Sequence, residues 1–212
     1  MSDTQDKPTA RMFFTQNDIP DDEREALVEL LNETLANTTD LLTQTKYAHW
    51  NVKGPNFYQL HLLFDELADV LFEHEDGIAE RTTALGGEAR GTVRMAATNS
   101  RIPEIRTDAV TGLEYVEALA NNLAIHASNL RSGIDTAESL SDKDTADLFT
   151  EQSREVDQYL WFLEAHLQRE PIQSVPGNGE RESAPPRRPE APNSETPHHE
   201  PRRYEQGSTP TR

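Results

Sequence analysis

The sequence predicts an all-α domain, a four-helix bundle with a long connection between its second and third helices. Between residues 21 and 170, four long segments carry apolar residues at the three- and four-residue spacing of an amphipathic helix. None of them shows the strict alternation that is typical of a half-buried strand. The first two and the last two helices are joined by a few residues each, which makes each pair antiparallel neighbours.

The first helix is expected to begin after Pro20, with Asp21 or Asp22 as its N-cap. It should end near Trp50, just before a Gly-Pro pair. Its core face consists of leucines at helical spacing, namely Leu27, Leu30, Leu31, Leu35, Leu41 and Leu42.

The second helix should begin at Asn56, an N-cap residue, and end at Gly86-Gly87, a glycine signal for a helix C-terminus. The third is expected from about Asp108 to Glu138. One face of the third helix carries Leu113, Val116, Leu123, Ala127, Leu130 and Ile134.

The fourth helix is preceded by Ser141–Asp144, which resembles a capping box, and should end at Pro171. Its apolar positions are Leu148, Val156, Tyr159, Leu160, Leu163 and Leu167. The long connection, residues 88–107, could span roughly 65 Å when extended, more than the roughly 46 Å of the second helix. It can therefore return along the bundle, so that helices two and three are parallel, and a short helix near Ala96–Arg101 is plausible within it.

Composition divides the chain into three parts. Residues 1–20 are expected to form a flexible arm and residues 21–170 the bundle. Residues 171–212 hold nine of the 13 prolines, six arginines, six glutamates and few apolar side chains. Such a segment cannot bury enough apolar surface to offset its chain entropy, so we expect it to be disordered.

Charge and residue usage exclude several functions. The net charge of −18 lies in the first 170 residues and disfavours binding to phosphates of nucleic acid. The chain has no segment of roughly 20 apolar residues that could span a membrane, no signal-peptide pattern at its start and no cysteine. These features suggest a cytoplasmic protein. Only four of the 20 basic residues are lysines, which suggests adaptation to concentrated salt or, alternatively, an ordinary acidic protein from a GC-rich genome.

A polar stripe runs along the second helix, opposite its apolar face. At about 100° per residue, the potential metal ligands lie within about 100° of one another and about 160° from the leucine face. The stripe consists of His61, Asp65, Asp69, Asp76 and Glu80, with Phe72 among them. A solvated polar face would explain the carboxylates, but it would leave Phe72 stranded in water.

The stripe cannot form one metal site within one helix. Asp65 and Asp76 are 11 residues apart, or roughly 17 Å along the axis, and ligand bonds are only about 2 Å long. Two copies of the helix could cross antiparallel near residues 70–71, with Phe72 at the crossing. His61 and Asp65 of one copy would then face the Asp76 and Glu80 positions of the other copy, which gives two sites per dimer, and His49 could reach each site. Imidazole and carboxylate ligands without thiolate suit iron or manganese.

These residues resemble those of the Dps family, the mini-ferritins known as DNA-binding proteins from starved cells. The resemblance covers residues 20–170 and rests on three motifs: the run His49-Trp-Asn-Val-Lys-Gly-Pro-Asn-Phe57 with the ligand stripe after it, the Leu85-Gly-Gly ending of the second helix, and Asp157-Gln-Tyr-Leu-Trp-Phe162 in the last helix.

The resemblance implies a ferritin-like bundle assembled into a hollow 12-subunit shell of two-fold dimers. It implies oxidation of Fe(II) to Fe(III), preferably by hydrogen peroxide, at sites between two subunits, and storage of ferric mineral inside. The implied iron ligands are His49, His61 and Asp65 of one subunit with the partner's Asp76 and the partner's Glu80.

Three further assignments follow by position. Trp50 and Trp161 match tryptophans near the family's site. We interpret them as core-packing residues, with a redox-protective role as the alternative. Asp147, with its neighbours Asp142 and Asp144, could line an acidic pore, although acids in a first helical turn are favoured by the helix dipole in any case. Three acids on the second helix, Glu66, Asp69 and Glu73, could nucleate mineral or be merely solvated.

The chain departs from the family pattern in its tails. The family members that coat DNA commonly do so with lysine-rich tails, whereas here arginines and glutamates balance. We therefore expect weak or absent DNA binding. An iron-oxidising shell is the leading hypothesis, a non-catalytic DNA-associated shell is the alternative, and a purely structural bundle would leave the histidines unexplained.

Overall fold

The computed structural model describes residues 10–168, and these residues form five helices and no extended strand. The helices are α1 (Asp21–Asn51), α2 (Phe57–Ala84), α3 (Val93–Asn99), α4 (Gly112–Ser139) and α5 (Lys143–Leu167). The prediction of an all-α bundle with a long connection is confirmed. The chain divides into two units at Pro171; the predicted tail, including His198-His199, lies outside the described residues, as do the first nine residues of the predicted arm.

The long helices pack in the order expected for a bundle with a crossover. On α2 and α5, His74 pairs with Glu155 and Arg81 pairs with Asp142, so these two helices are antiparallel. The hairpin of α4 and α5 is antiparallel as well, because only residues 140–142 join them. Helices α2 and α4 therefore run parallel, as the length of the connection predicts.

The connection returns along α1. The Arg90 N–H donates to Asn32 Oδ1 and the Arg101 N–H donates to Asn37 Oδ1, each at 2.7 Å. Two buried asparagines of α1 thus satisfy backbone donors of a segment that has no ladder partner of its own. Helix α3 confirms the predicted short helix, about three residues earlier than expected.

Two predicted helix starts are corrected by the structure. The N-cap of α1 is Pro20, and Asp21 and Asp22 lie in the first turn, where acids favour the helix dipole. Helix α4 begins at Gly112 rather than near Asp108, because Thr111 caps it in a capping box with Glu114.

The two remaining caps differ in detail. Asn56 is the N-cap of α2, as predicted, but its side chain makes no capping hydrogen bond. At α5 the cap is Asp142, within the predicted Ser141–Asp144 segment, and its carboxylate accepts hydrogen bonds from the backbone N–H groups of Asp144 and Thr145.

The core confirms the predicted face of α2. Its four inward residues, Leu60, Leu67, Leu71 and Ile78, are at most 1% exposed. On α4, however, Leu113 is exposed, because the helix begins only one residue earlier and its first turn lies at the edge of the bundle. Within residues 10–168, none of the helices has the length and apolarity needed to cross a membrane.

Residues 10–20 lie against the bundle. The Phe13 N–H donates to the Gly86 carbonyl at 2.7 Å, beyond the end of α2. Gly86 has a φ of +85°, a conformation that suits glycine and ends the helix. The segment before α1 thus holds the C-terminal end of α2, the helix that carries most of the predicted ligands.

Candidate metal centre

Two histidines are held face to face where α1 and α2 meet. The rings of His49 and His61 stack with their centroids 3.8 Å apart and an interplanar angle of 18°. His49 Nδ1 donates to the His61 carbonyl at 2.8 Å, and His61 Nδ1 donates to the His49 carbonyl at 3.0 Å. A carbonyl oxygen only accepts, so each Nδ1 carries a proton, and the nitrogen left to offer a lone pair to a metal is Nε2.

This arrangement prepares both rings as metal ligands. A ligating imidazole needs one unprotonated nitrogen, and the hydrogen bond of its other nitrogen sets the tautomer and the orientation. Among residues 10–168, no hydrogen bond occupies either Nε2. His49 is buried and His61 half-buried, so the pair is fixed at the rim of the bundle rather than solvated.

The carboxylate of Asp65 completes this half of the site. Its Oδ1 lies 3.7 Å from His49 Nδ1 and accepts a 2.6 Å hydrogen bond from Lys46 Nζ. That hydrogen bond is the main reason why the pKa of Asp65 is lowered, with smaller contributions from the charges of the nearby histidines and Lys46, against the opposing effect of burial. The carboxylate is therefore ionised at neutral pH, and a metal ion there competes with the Lys46 ammonium group.

The other predicted ligands lie further along the same helix. Asp76 and Glu80 are exposed on α2, three turns from Asp65. Within the described part of the chain, no group of three or more histidine or acidic side chains could hold a metal ion on its own. A single chain thus presents the predicted ligands in two separate groups on one stripe, which are two candidate half-sites.

Asp76 and Glu80, the second candidate half-site, precede Arg81, which forms hydrogen bonds and an ion pair between α2 and α5. Arg81 Nη2 donates to Asp142 Oδ1 at 2.7 Å, and Arg81 Nε donates to Thr145 Oγ1 at 3.0 Å. This joins the last turns of α2 to the first turn of α5. It also removes Asp142 from the candidate pore residues, because its carboxylate is buried and engaged by Arg81, Thr145 and the helix N-terminus.

The remaining pore candidates are exposed at the same end of the bundle. Asp144 lies 3.6 Å from Arg81, with its side chain largely in solvent. Asp147 lines an open cavity of about 470 Å³ together with Glu138 and Lys143. The structure thus leaves Asp147 and Asp144 as accessible acids and gives Lys143 as a neighbouring cation.

Three of the aromatic side chains singled out in the sequence are exposed. Trp50 is 69% exposed, Phe72 58% and Trp161 60%. The explanation of both tryptophans by packing in their own bundle core is therefore wrong. Trp50 and Phe72 line a largely apolar cavity of about 360 Å³ between α1 and α2, beside Lys46 and Asp69. A monomer would leave this surface in water.

The candidate nucleation acids lie on the outer side of α2. All three are exposed, and Asp69 also lines the cavity beside Phe72. Burial raises the pKa of Tyr159 on α5, and the negative charges of Glu66 and, to a lesser extent, Asp69 raise it further. These acids thus crowd one surface, and Asp69 belongs to its apolar part.

The other described histidines lie away from the stripe. His74 is buried and pairs with Glu155 through a 2.6 Å contact. His126 is fully buried. His166 is exposed, and its Nδ1 donates to the Phe162 carbonyl one turn earlier at 2.8 Å.

Sequence reasoning missed two features of the centre. It did not find the reciprocal bonds of the two histidines to each other's carbonyls, which depend on how α1 and α2 meet. It also missed Lys46, although the lysine precedes His49 by three residues and thus shares its helix face. That spacing could have revealed a cation beside the site.

Comparisons with known proteins agree with this fold. The family model of the ferritin-like domain matches residues 28–171. The DNA protection during starvation protein of Agrobacterium fabrum is 40% identical over 154 residues, which cover 73% of this chain and 95% of the relative. DpsA14 from Streptomyces coelicolor superimposes with a TM-score of 0.72 at 28% identity, over 76% of this chain and 96% of that structure.

A third relative connects the fold to metal chemistry. This relative is the Dps protein from Vibrio cholerae, which is described as a member of a broad superfamily of ferritin-like diiron-carboxylate proteins. It is 27% identical to this chain and superimposes with a TM-score of 0.66, over 69% of this chain and 92% of that structure. The fold and the matching family model define a ferritin-like protein. Within that class, the chain belongs to the Dps family.

Proposed function

We propose that this protein oxidises Fe(II), with hydrogen peroxide as the preferred oxidant, and stores the ferric product as mineral inside a hollow shell of 12 subunits. The observation that carries the proposal is the stacked pair of His49 and His61, whose Nδ1 atoms are bonded to backbone and whose Nε2 atoms are left for a metal. The peroxide preference and the shell of 12 are implied by the family.

The exposed stripe of α2 supports a site shared by two subunits. If two α2 helices cross antiparallel at Phe72, His49, His61 and Asp65 of one subunit face the partner's Asp76 and the partner's Glu80. Burial of Phe72 and Trp50 at this crossing would remove apolar surface from water and stabilise the dimer. The complete site then contains two imidazoles and three carboxylates, a ligand set that suits iron.

The side chains have distinct tasks in this site. The neutral imidazoles bind Fe(II) without adding negative charge, whereas the carboxylates of Asp65, the partner's Asp76 and the partner's Glu80 favour the more highly charged ferric product. Two Fe(II) ions give up one electron each, and one hydrogen peroxide molecule takes both electrons and two protons to give two water molecules. Because both electrons enter one peroxide, no hydroxyl radical is released.

The first test follows ferric absorbance after anaerobic addition of Fe(II) and substoichiometric peroxide. Replacing Asp76 and Glu80 by alanine should reduce the rate by more than about 100-fold, because both ligands of the second half-site are lost. The matched control replaces two exposed acids of α4, Glu117→Ala with Asp135→Ala, and should oxidise iron normally. Normal oxidation by the α2 variant would refute the assigned ligands.

A mixing experiment tests whether the site is shared. One variant lacks the first half-site (His61→Asn with Asp65→Ala) and the other lacks the second (Asp76→Ala with Glu80→Ala). In shells that contain equal amounts of both, random pairing leaves about a quarter of the sites with every native ligand, and activity should return to about that fraction. Mixed shells that are as inactive as the two parents would argue for sites within single subunits.

We also propose that DNA binding is weak. The acidic charge of the chain, −18 overall, repels phosphates, and only counterion release by basic residues supplies non-specific affinity. A gel-shift assay in low salt should show free DNA at micromolar protein. Tight retention of DNA of any length by the intact shell would contradict this and would favour the DNA-associated alternative.

A further inference from the structure

The unsatisfied polar atoms of the core are concentrated at one place. Among the described residues, four buried side-chain atoms lack a hydrogen-bond partner, and all of them belong to His74, His126 and Gln152. These residues come from α2, α4 and α5, respectively. The remaining buried polar side chains are satisfied, so this cluster, which we call the core histidine cluster, is a local exception to the usual rule.

The three residues are neighbours in the bundle. Gln152 Nε2 donates to the His74 carbonyl at 3.2 Å. The pKa of His126 is lowered mainly by burial and secondarily by the proximity of His74, whose protonation would disfavour a second positive charge. Since α2 and α5 are adjacent and α4 packs on α5, the cluster lies where these three helices meet.

The unsatisfied atoms are mostly acceptors. His74 Nε2 lies 2.6 Å from Glu155 Oε2 and donates to that carboxylate, so the neutral ring has its lone pair on Nδ1. Gln152 Oε1 is an acceptor, and its amide nitrogen is already used. His126 is neutral in the folded protein and therefore offers one N–H donor and one acceptor nitrogen.

We infer that the core histidine cluster binds an internal water molecule. Water can accept the N–H of His126 and donate its two protons to His74 Nδ1 and Gln152 Oε1, which gives it three partners, the usual number for a buried water. The water satisfies three of the four atoms, whereas an apolar guest would satisfy none of them. A metal ion is disfavoured because no group of three histidine or acidic residues among those described is arranged to hold one.

Burial decreases outward from the core histidine cluster toward the surface of α5. His126 is fully buried, His74 is 4% exposed, and the Glu155 side chain is 48% exposed. The three side chains thus form a polar column from the core to the surface of α5.

The main test is a crystal structure of the assembled full-length protein at a resolution of about 1.5 Å, prepared with chelator and again after soaking with Zn²⁺ or Fe²⁺. We expect a density peak within hydrogen-bond distance of His74 Nδ1, Gln152 Oε1 and one nitrogen of His126, without anomalous signal in either crystal. A dry cluster, or an anomalous peak after metal soaking, would overturn the inference.

A second measurement avoids crystals. At pH 8, His126→Leu should lower the thermal midpoint by several degrees relative to Leu119→Met, a conservative change at a fully buried site of the same helix. The loss follows because the leucine removes one partner of the water and leaves it poorly bonded. If the cluster were dry, the leucine would remove two unsatisfied nitrogens, and the midpoint would stay or rise.

Discussion

Two pairs of histidines in this bundle show how the surroundings of a side chain decide its chemistry. His49 and His61 lie at the rim where α1 and α2 meet, and each Nδ1 is bonded to a backbone carbonyl. His74 and His126 lie in the interior, and three of their four ring nitrogens have no partner among the described residues. The rim pair is oriented with its lone pairs available, whereas the core pair is desolvated and unsatisfied.

The comparison shows that burial of a histidine does not by itself make it a metal ligand. The rim histidines combine a fixed tautomer with the nearby carboxylate of Asp65, on a helix pair that also exposes Trp50 and Phe72. Of the core histidines, His74 is bonded to one carboxylate, that of Glu155, and burial lowers the pKa of both histidines, to about 4 for His126. A neutral imidazole in the core needs hydrogen bonds, and a neutral imidazole at the rim can bind a cation.

The largest expected effect concerns the rim pair. Asparagine retains a donor near the position of Nδ1 but lacks Nε2, so His49→Asn with His61→Asn should preserve the helix contact and remove both ligand nitrogens. We expect peroxide-dependent Fe(II) oxidation to fall by more than about 100-fold. The matched variant of the core pair, His126→Leu, should oxidise iron at the wild-type rate, and equal losses in both variants would erase the proposed distinction.

The core pair should instead govern stability in acid. The pKa of His126 is about 4 in the folded protein and near 6.5 when unfolded. Above pH 6.5 the ring is neutral in both states and adds no pH dependence. As the pH falls from 6.5 to 4, the unfolded chain takes up the proton first, so the folded state should lose up to about 3 kcal/mol of stability from this residue.

The measurement is denaturant unfolding of wild type and His126→Leu between pH 8 and pH 4. Carboxylates also titrate near the lower limit, but they are common to both proteins and cancel in the difference. The wild-type curve should fall more steeply below pH 6.5. Parallel curves would show that His126 is not held neutral by the core.

A smaller effect is expected at Lys46, whose ammonium group competes with a metal ion for the carboxylate of Asp65. Its ammonium group is bonded to Asp65, and partly exposed ion pairs of this kind contribute less than about 1 kcal/mol. Lys46→Met should therefore tighten Fe(II) binding about two- to fivefold, measured by anaerobic titration calorimetry. Lys46→Arg is the control that keeps the charge, and weaker iron binding by the methionine variant would contradict a competing role.

Much of the fold could be predicted because it follows from periodicity and connection length. Leucine spacing predicted four long helices, and the length of residues 88–107 predicted that the chain returns along the bundle, whereas its packing on α1 was found only in the structure. The starts of α1 and α4 could not be placed as well, because Thr111 is one of several residues that can cap a helix and only the tertiary contacts select among them.

The sequence by itself determined the polar stripe of α2, because the angle between residues on a helix is a local property. It therefore predicted that His61, Asp76 and Glu80 face away from the core. Only the tertiary structure decided the tautomers of the rim histidines, the pairing of Asp65 with Lys46 and the burial of His126. These depend on how separate helices meet, and the distance between residues on different helices is not a function of their spacing along the chain.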